Sequence, residues 1–183
     1  VPVDAAPDSR MADGTPYVGH LRLDSPWGPF EFACVSMGNP HAVCLVDDWA
    51  ALPDELFPAG AEKSLSTLRI DLPGPFFETH PAFPEKTNVE FASVTDESIA
   101  MRVWERGCGE TLACGTGACA VGYTCAALGK AGQRGEFLKV EAKGGLLQVR
   151  TGEDDAMTLK GPATTVYEGE IEIPEELLEE SLK

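Results

Sequence analysis

The chain has 183 residues, 43% of them hydrophobic, and a formal net charge of -16 from 30 acidic against 14 basic side chains. That length can bury a core without disulfides, and the charge repels nucleic acid and anionic lipid, which argues against both as partners. No run approaches the roughly 18 apolar residues of a membrane span, and no charged leader precedes an apolar segment, so a cytoplasmic protein is expected.

Residues 1–16 mix proline, glycine and charge without periodicity and read as a linker or interdomain approach. Residues 17–169 read as one domain, and 170–183 as an acidic tail or short helix after Pro174. Phe30–Ser36 alternates before running apolar, and after the turn Gly38-Asn39-Pro40 the segment His41–Val46 does the same; both predict strands. Within 47–67 a short helix is expected around Asp54 to Phe57, with Pro53 in its first turn and Pro58 as its stop. Thr87–Val94 and Ile99–Trp104 are further strands, joined by the acidic turn Asp96-Glu97. From Thr116 to Leu128 the pattern changes to a helix without a single charge, which predicts burial on all sides. Strands follow at Phe137–Ala142, Leu146–Arg150, Ala156–Leu159 and Thr164–Tyr167, with a hairpin turn at Gly144-Gly145. Many short strands with one uncharged helix imply an α+β architecture, a curved, mostly antiparallel sheet or barrel wrapped around that helix.

The chemistry concentrates in Arg106-Gly-Cys-Gly-Glu-Thr-Leu-Ala-Cys114-Gly-Thr-Gly-Ala-Cys119, where a thiol precedes the small residues that open the helix. Free N–H groups and the helix dipole at such a position lower a thiol pKa and offer donors to an anion, while a buried structural thiol is the bland alternative for Cys114. Glu105 and Glu110 flank the glycine-rich turn, either as solvated turn residues or as carboxylates reaching the thiol; a carboxylate there opposes the helix end and favours proton transfer. Arg106 is a surface charge or a fork for a carboxylate, Asn39 and Asn88 are turn residues or ligands, and His41 is a satisfied core histidine or a site residue. His20 and His80 have no assigned role. Three dispersed histidines and no carboxylate cluster support no metal, Gly115-Thr-Gly117 is too short for a nucleotide loop, and no lysine stands near Cys114 for pyridoxal chemistry. No cofactor is expected.

The segments Ser36-Met-Gly-Asn-Pro-His41, Phe83-Pro84 with Thr87-Asn-Val-Glu-Phe91, Arg102 to Thr111, Ala113 to Ala118 and Gly161-Pro-Ala163 together resemble the diaminopimelate epimerase family. That resemblance implies two similar halves, each a curved sheet around a central helix, of which this chain would be the C-terminal one, lacking the N-terminal half and its partner cysteine. It implies interconversion of LL- and meso-diaminopimelate by two thiols without a cofactor, with the isolated chain inactive or nearly so. Cys114 would be one acid–base thiol, Glu105 its partner, and His41 an aid to the cysteine of the other half. Asn39, Asn88 and Arg106 would hold the distal amino acid centre, main-chain acceptors at Glu105 and Arg106 its ammonium, and the Gly115 and Thr116 N–H groups the reacting carboxylate. The partners implied are a diamino dicarboxylic acid and the N-terminal half, and a homodimer of the full-length protein is admitted. A two-cysteine proline or hydroxyproline racemase-like enzyme, or a noncatalytic module retaining the fold, are the alternatives. Two features depart from the family: a polar stretch at 49–68 expected to form a surface excursion, and Cys108, which could pair with Cys114 unless the turn holds them apart.

Overall fold

The computed structural model describes residues 7–10, 14 and 16–174. Runs of alternating and β-branched residues pair into one sheet: β1 (Ser9–Arg10), β2 (Pro16–Leu23), β3 (Phe30–Ser36), β4 (Pro40–Leu45), β5 (Asn88–Val94), β6 (Ile99–Glu105), β7 (Gly109–Glu110), β8 (Leu138–Ala142), β9 (Gly145–Thr151) and β10 (Met157–Lys160). The strand order is β1-β2-β3-β4-β5-β6-β8-β9-β10, with β7 paired to β6. Pairing is antiparallel except for β4 with β5 and β6 with β8. The described helices are short: α1 (Pro73–Glu78), α2 (Gly115–Ala127) and two 3-10 turns at Trp49–Ala51 and Asp54–Leu56.

The sheet is therefore mixed and open, with β1 and β10 as unjoined edges, which corrects the expected barrel or sheet wrapped around a helix. The physical reason lies in its two faces. Alternation sends Val35, Val43, Ala92, Met101 and Val103 to one side, where Ala118, Val121 and Tyr123 of α2 pack on them. It sends Phe30, Phe32, Ala42, Cys44, Val89 and Phe91 to the other, where Leu56, Phe57, Leu68, Ile70, Phe77 and Phe83 cover them. A lack of charge on α2 demands burial, and contacts with β3, β4, β5, β6, β8, β9 and β10 along one face of the open sheet meet that demand without closing it.

The stretch 49–68 is accordingly no mere surface excursion. It delivers Leu56, Phe57 and Leu68 to the second core, and Arg102 fastens it by donating from Nη1 to the carbonyls of Leu65 (2.9 Å) and Leu68 (2.6 Å). The segment Thr164–Tyr167 forms no strand: residues 161–174 carry no regular structure, and Val166 and Tyr167 are exposed. Strand propensity without a partner ladder does not suffice. The proposed helix after Pro174 lies outside the described residues. Helix α2 ends in a Schellman cap, where Gly129 at φ 65° lets Lys130 N–H reach the Cys125 carbonyl at 2.8 Å and its own N–H reach Ala126 at 3.3 Å.

Phe77 is fully buried with its ring against Phe30, Phe32 and Phe76. Phe77→Ala should lower the unfolding free energy by about 3–5 kcal/mol, read as a reduced urea midpoint at unchanged slope. A loss below about 1 kcal/mol would show that 49–83 is not a structural layer.

Candidate active site

Cys114 caps α2. Its backbone is extended (φ -128°, ψ 116°), and its Sγ accepts from the Gly117 N–H at 3.4 Å and lies 3.4 Å from Thr116 Oγ1. Gly115 and Thr116 are the first two helical residues, so their N–H groups have no acceptor within the helix. The sulfur is not the open, acidified thiol expected of a helix end. Cys114 is only 8% exposed, and its pKa is raised: burial comes first, outweighing the hydrogen bonds from Thr116 and Gly117, and the neighbouring Glu105 and Glu90 carboxyls add to it.

Below the first turn of α2 lies a pair the sequence reading did not single out in full. His41 on β4 and Glu90 on β5 are both buried, with Nδ1 2.7 Å from Oε1, and His41 Nε2 lies 3.0 Å from Asn39 Oδ1. Asn39 also donates from Nδ2 to Thr116 Oγ1 at 3.4 Å, linking the pair to the atom that touches the sulfur. Burial raises the Glu90 pKa, against the lowering effect of His41. A signal for Glu90 was present: Val89 and Phe91 face the second core, so a charged residue between them points into the α2 side, where charges are rarely placed without work to do. Gly117 makes the approach of helix and pair feasible, since a Cβ there would stand 2.8 Å from Glu90 Oε1 and 3.4 Å from Cys114 Sγ.

The other expected residues divide. Asn88 is buried and engaged on both sides, donating to the Pro40 carbonyl at 2.8 Å and accepting the Arg106 N–H at 2.9 Å, so it braces Arg106 against the start of β4. The Arg106 side chain is exposed and donates to the Glu85 carbonyl at 3.2 Å. Glu105 accepts from Thr111 Oγ1 at 2.5 Å and belongs to the same inward-facing set of β6 as Met101 and Val103. Glu110 is not at the thiol: it pairs with Arg102 (2.7 Å) and Lys143 (3.1 Å), which hold its carboxyl below the usual range despite burial. Glu78, unnoticed in the sequence, accepts from Trp104 Nε1 at 2.8 Å and the Gly107 N–H at 2.9 Å and so secures the turn after Arg106. Cys108 and Cys114 are both free thiols, Cys108 exposed. A cleft of about 240 Å³ is lined by Ser36, Asn39, His41, Phe83, Glu85 and Thr87.

The family profile of diaminopimelate epimerases matches residues 33–166. A diaminopimelate epimerase of Methanococcus maripaludis strain C5 is 47% identical over 146 residues, 79% of this chain and 46% of that protein. The diaminopimelate epimerase of Desulfitobacterium hafniense is 41% identical over 160 residues, 87% of this chain and 50% of that protein. The chain spans about half the length of the curated relatives it matches. Among solved structures, a probable proline racemase from Agrobacterium radiobacter K84 aligns at a TM-score of 0.47 and 21% identity, covering 73% of this chain and 41% of that one.

The raised pKa and burial of Cys114 give an order of reactivity. Near neutral pH, iodoacetamide should modify the exposed Cys108 first and Cys114 at least about tenfold more slowly, followed by site-resolved mass spectrometry. Cys114 reacting ahead of Cys108 would contradict the buried, protonated thiol.

Proposed function

Since the chain belongs to the diaminopimelate epimerase family, we propose that it is the C-terminal half of a cofactor-independent epimerase interconverting LL- and meso-diaminopimelate. The observation that carries the reading is the Cys114 sulfur seated at the first turn of α2, beside Gly115 and Thr116 N–H groups that have no acceptor within the helix and beside the Glu105 and Glu90 carboxyl groups. Coverage of about half of each relative supports a second half that brings the opposing thiol.

Inverting a carbon without an electron sink requires removal of a weakly acidic α-proton from one face and delivery of another to the opposite face. Cys114, held as a thiol by burial, is suited to deliver; a thiolate from the other half removes. The substrate carboxylate lies on the Gly115 and Thr116 N–H groups, where the helix dipole stabilises the charge that builds up as the α-carbon flattens. Glu105, whose charge disfavours a thiolate at Cys114, is assigned the exchange of the thiol proton as the direction of reaction changes. The exposed Arg106, braced by Asn88, takes the distal carboxylate, and Asn39 reaches the same centre from the cleft side, while main-chain carbonyls around residues 105 and 106 accept the distal ammonium. His41 assists the thiol of the other half. A distal charged centre distinguishes this substrate from proline, to which Arg106 would offer nothing. Six free cysteines suit a reducing, cytoplasmic setting.

In the complete enzyme, Cys114→Ala should lower kcat/KM for epimerisation by about 10²–10⁴-fold, followed as the change in the ratio of LL to meso isomer. Arg106→Ala should reduce kcat/KM roughly 10- to 100-fold through loss of one charge-assisted contact. This chain alone should show no turnover until its complement is added. Undiminished epimerisation by Cys114→Ala, or full turnover by the lone chain, would overturn the two-thiol reading.

A further inference from the structure

We infer that Glu90 is a positioning residue that presents a proton to His41 Nδ1 and thereby fixes the ring with its Nε2–H directed at Asn39. The inference deepens the proposed function, and rests on it for the reaction the ring serves.

Both ring nitrogens are engaged, Nδ1 with Glu90 Oε1 at 2.7 Å and Nε2 with Asn39 Oδ1 at 3.0 Å. The Asn39 amide is oriented by its Nδ2 donation to Thr116 Oγ1. A carbonyl oxygen carries no proton, so Nε2 must donate. At Nδ1 two arrangements then remain: a lone pair accepting from a carboxylic acid, or an N–H donating to a carboxylate. The surroundings of Glu90 select the acid. Its side chain is fully buried, and Oε2 has no hydrogen-bond partner among the described residues. A bare carboxylate oxygen in the interior costs far more than the carbonyl oxygen of a neutral acid. The titratable groups facing it are His41 from β4, Glu105 from β6 and the Cys114 thiol from the cap of α2. The nearby Gly117 N–H is taken by Cys114 Sγ and does not compensate a charge on Glu90.

The arrangement gives the ring a proton supply. When His41 releases its Nε2 proton to an acceptor in the cleft, Nδ1 takes the proton from Glu90 Oε1, leaving the neutral ring in its other tautomer and Glu90 as the carboxylate. One proton leaves the pair, and one negative charge stays on Glu90. Return of a proton to Nε2 resets both groups.

The tautomer is testable in this chain without any turnover. With nitrogen-15 labelled histidine, assigned by His20→Gln and His80→Gln, the His41 signals near neutral pH should show a protonated Nε2 and an Nδ1 that accepts a hydrogen bond. A protonated Nδ1, alone or in an imidazolium, would overturn the inference. In the complete enzyme, Glu90→Leu removes the donor, whereas Glu90→Gln keeps an N–H in its place. Glu90→Leu should lower kcat about 10²-fold with KM within about twofold, and Glu90→Gln should recover at least about tenfold of that loss. Equal losses in the two variants, or an unchanged kcat in Glu90→Leu, count against the positioning role. If the complete enzyme does not turn over diaminopimelate while the spectra show the expected tautomer, the epimerase reading fails and the assignment of Glu90 stands.

Discussion

The whole site depends on how closely one helical turn can approach one pair of parallel strands. At Gly117 there is no room for a methyl group between the backbone of α2 and the Glu90 carboxyl, and the same missing atom leaves space for the Cys114 sulfur to fold back onto its own turn. Because the turn lies flat on β4 and β5, a thiol, an amide, an imidazole and a carboxyl become one connected set. A side chain at 117 would lift the helix end and separate the sulfur from everything beneath it.

That approach has an electrostatic cost, which the surroundings only partly offset. Enclosing Cys114 among apolar neighbours and two carboxyls raises its pKa, even though the helix end and two hydrogen bonds act in the other direction. The result is a sulfur that keeps its proton in the free chain. Glu78, Asn88 and Arg102 hold the turns and the covering segment in place.

Much of this was legible in the sequence because it is periodic. The alternation in Phe30–Ser36 and Ile99–Trp104, the charge-free run of α2 and the hairpin near Gly144 all correspond to elements of the structure. The link from Asn39 and His41 through Thr116 to Cys114 was not, since the sequence reading gave His41 to the other half and Asn39 to the distal end of the substrate. What was not legible is what depends on distant partners. Proline and glycine in Pro73-Gly-Pro disguised α1, which exists because Phe77 is drawn into an aromatic cluster. Thr164–Tyr167 has strand chemistry and no ladder to join. The direction of the Cys114 shift needed the depth of burial, and the extent of the sheet needed the second face, which residues 49–83 cover with apolar groups scattered among polar ones.

The two parallel pairings have a consequence in time. Each is joined by a long crossover, residues 46–87 on one side of the sheet and 106–137 on the other, so neither β4–β5 nor β6–β8 can form as a hairpin. Loop-closure entropy must be met before these contacts reward it, which places such a chain among slow folders. Until both crossovers settle, the central strands present two bare apolar surfaces at once. The interval between synthesis and closure is therefore when this molecule is most open to self-association, and the acidic net charge keeps nascent copies apart during it.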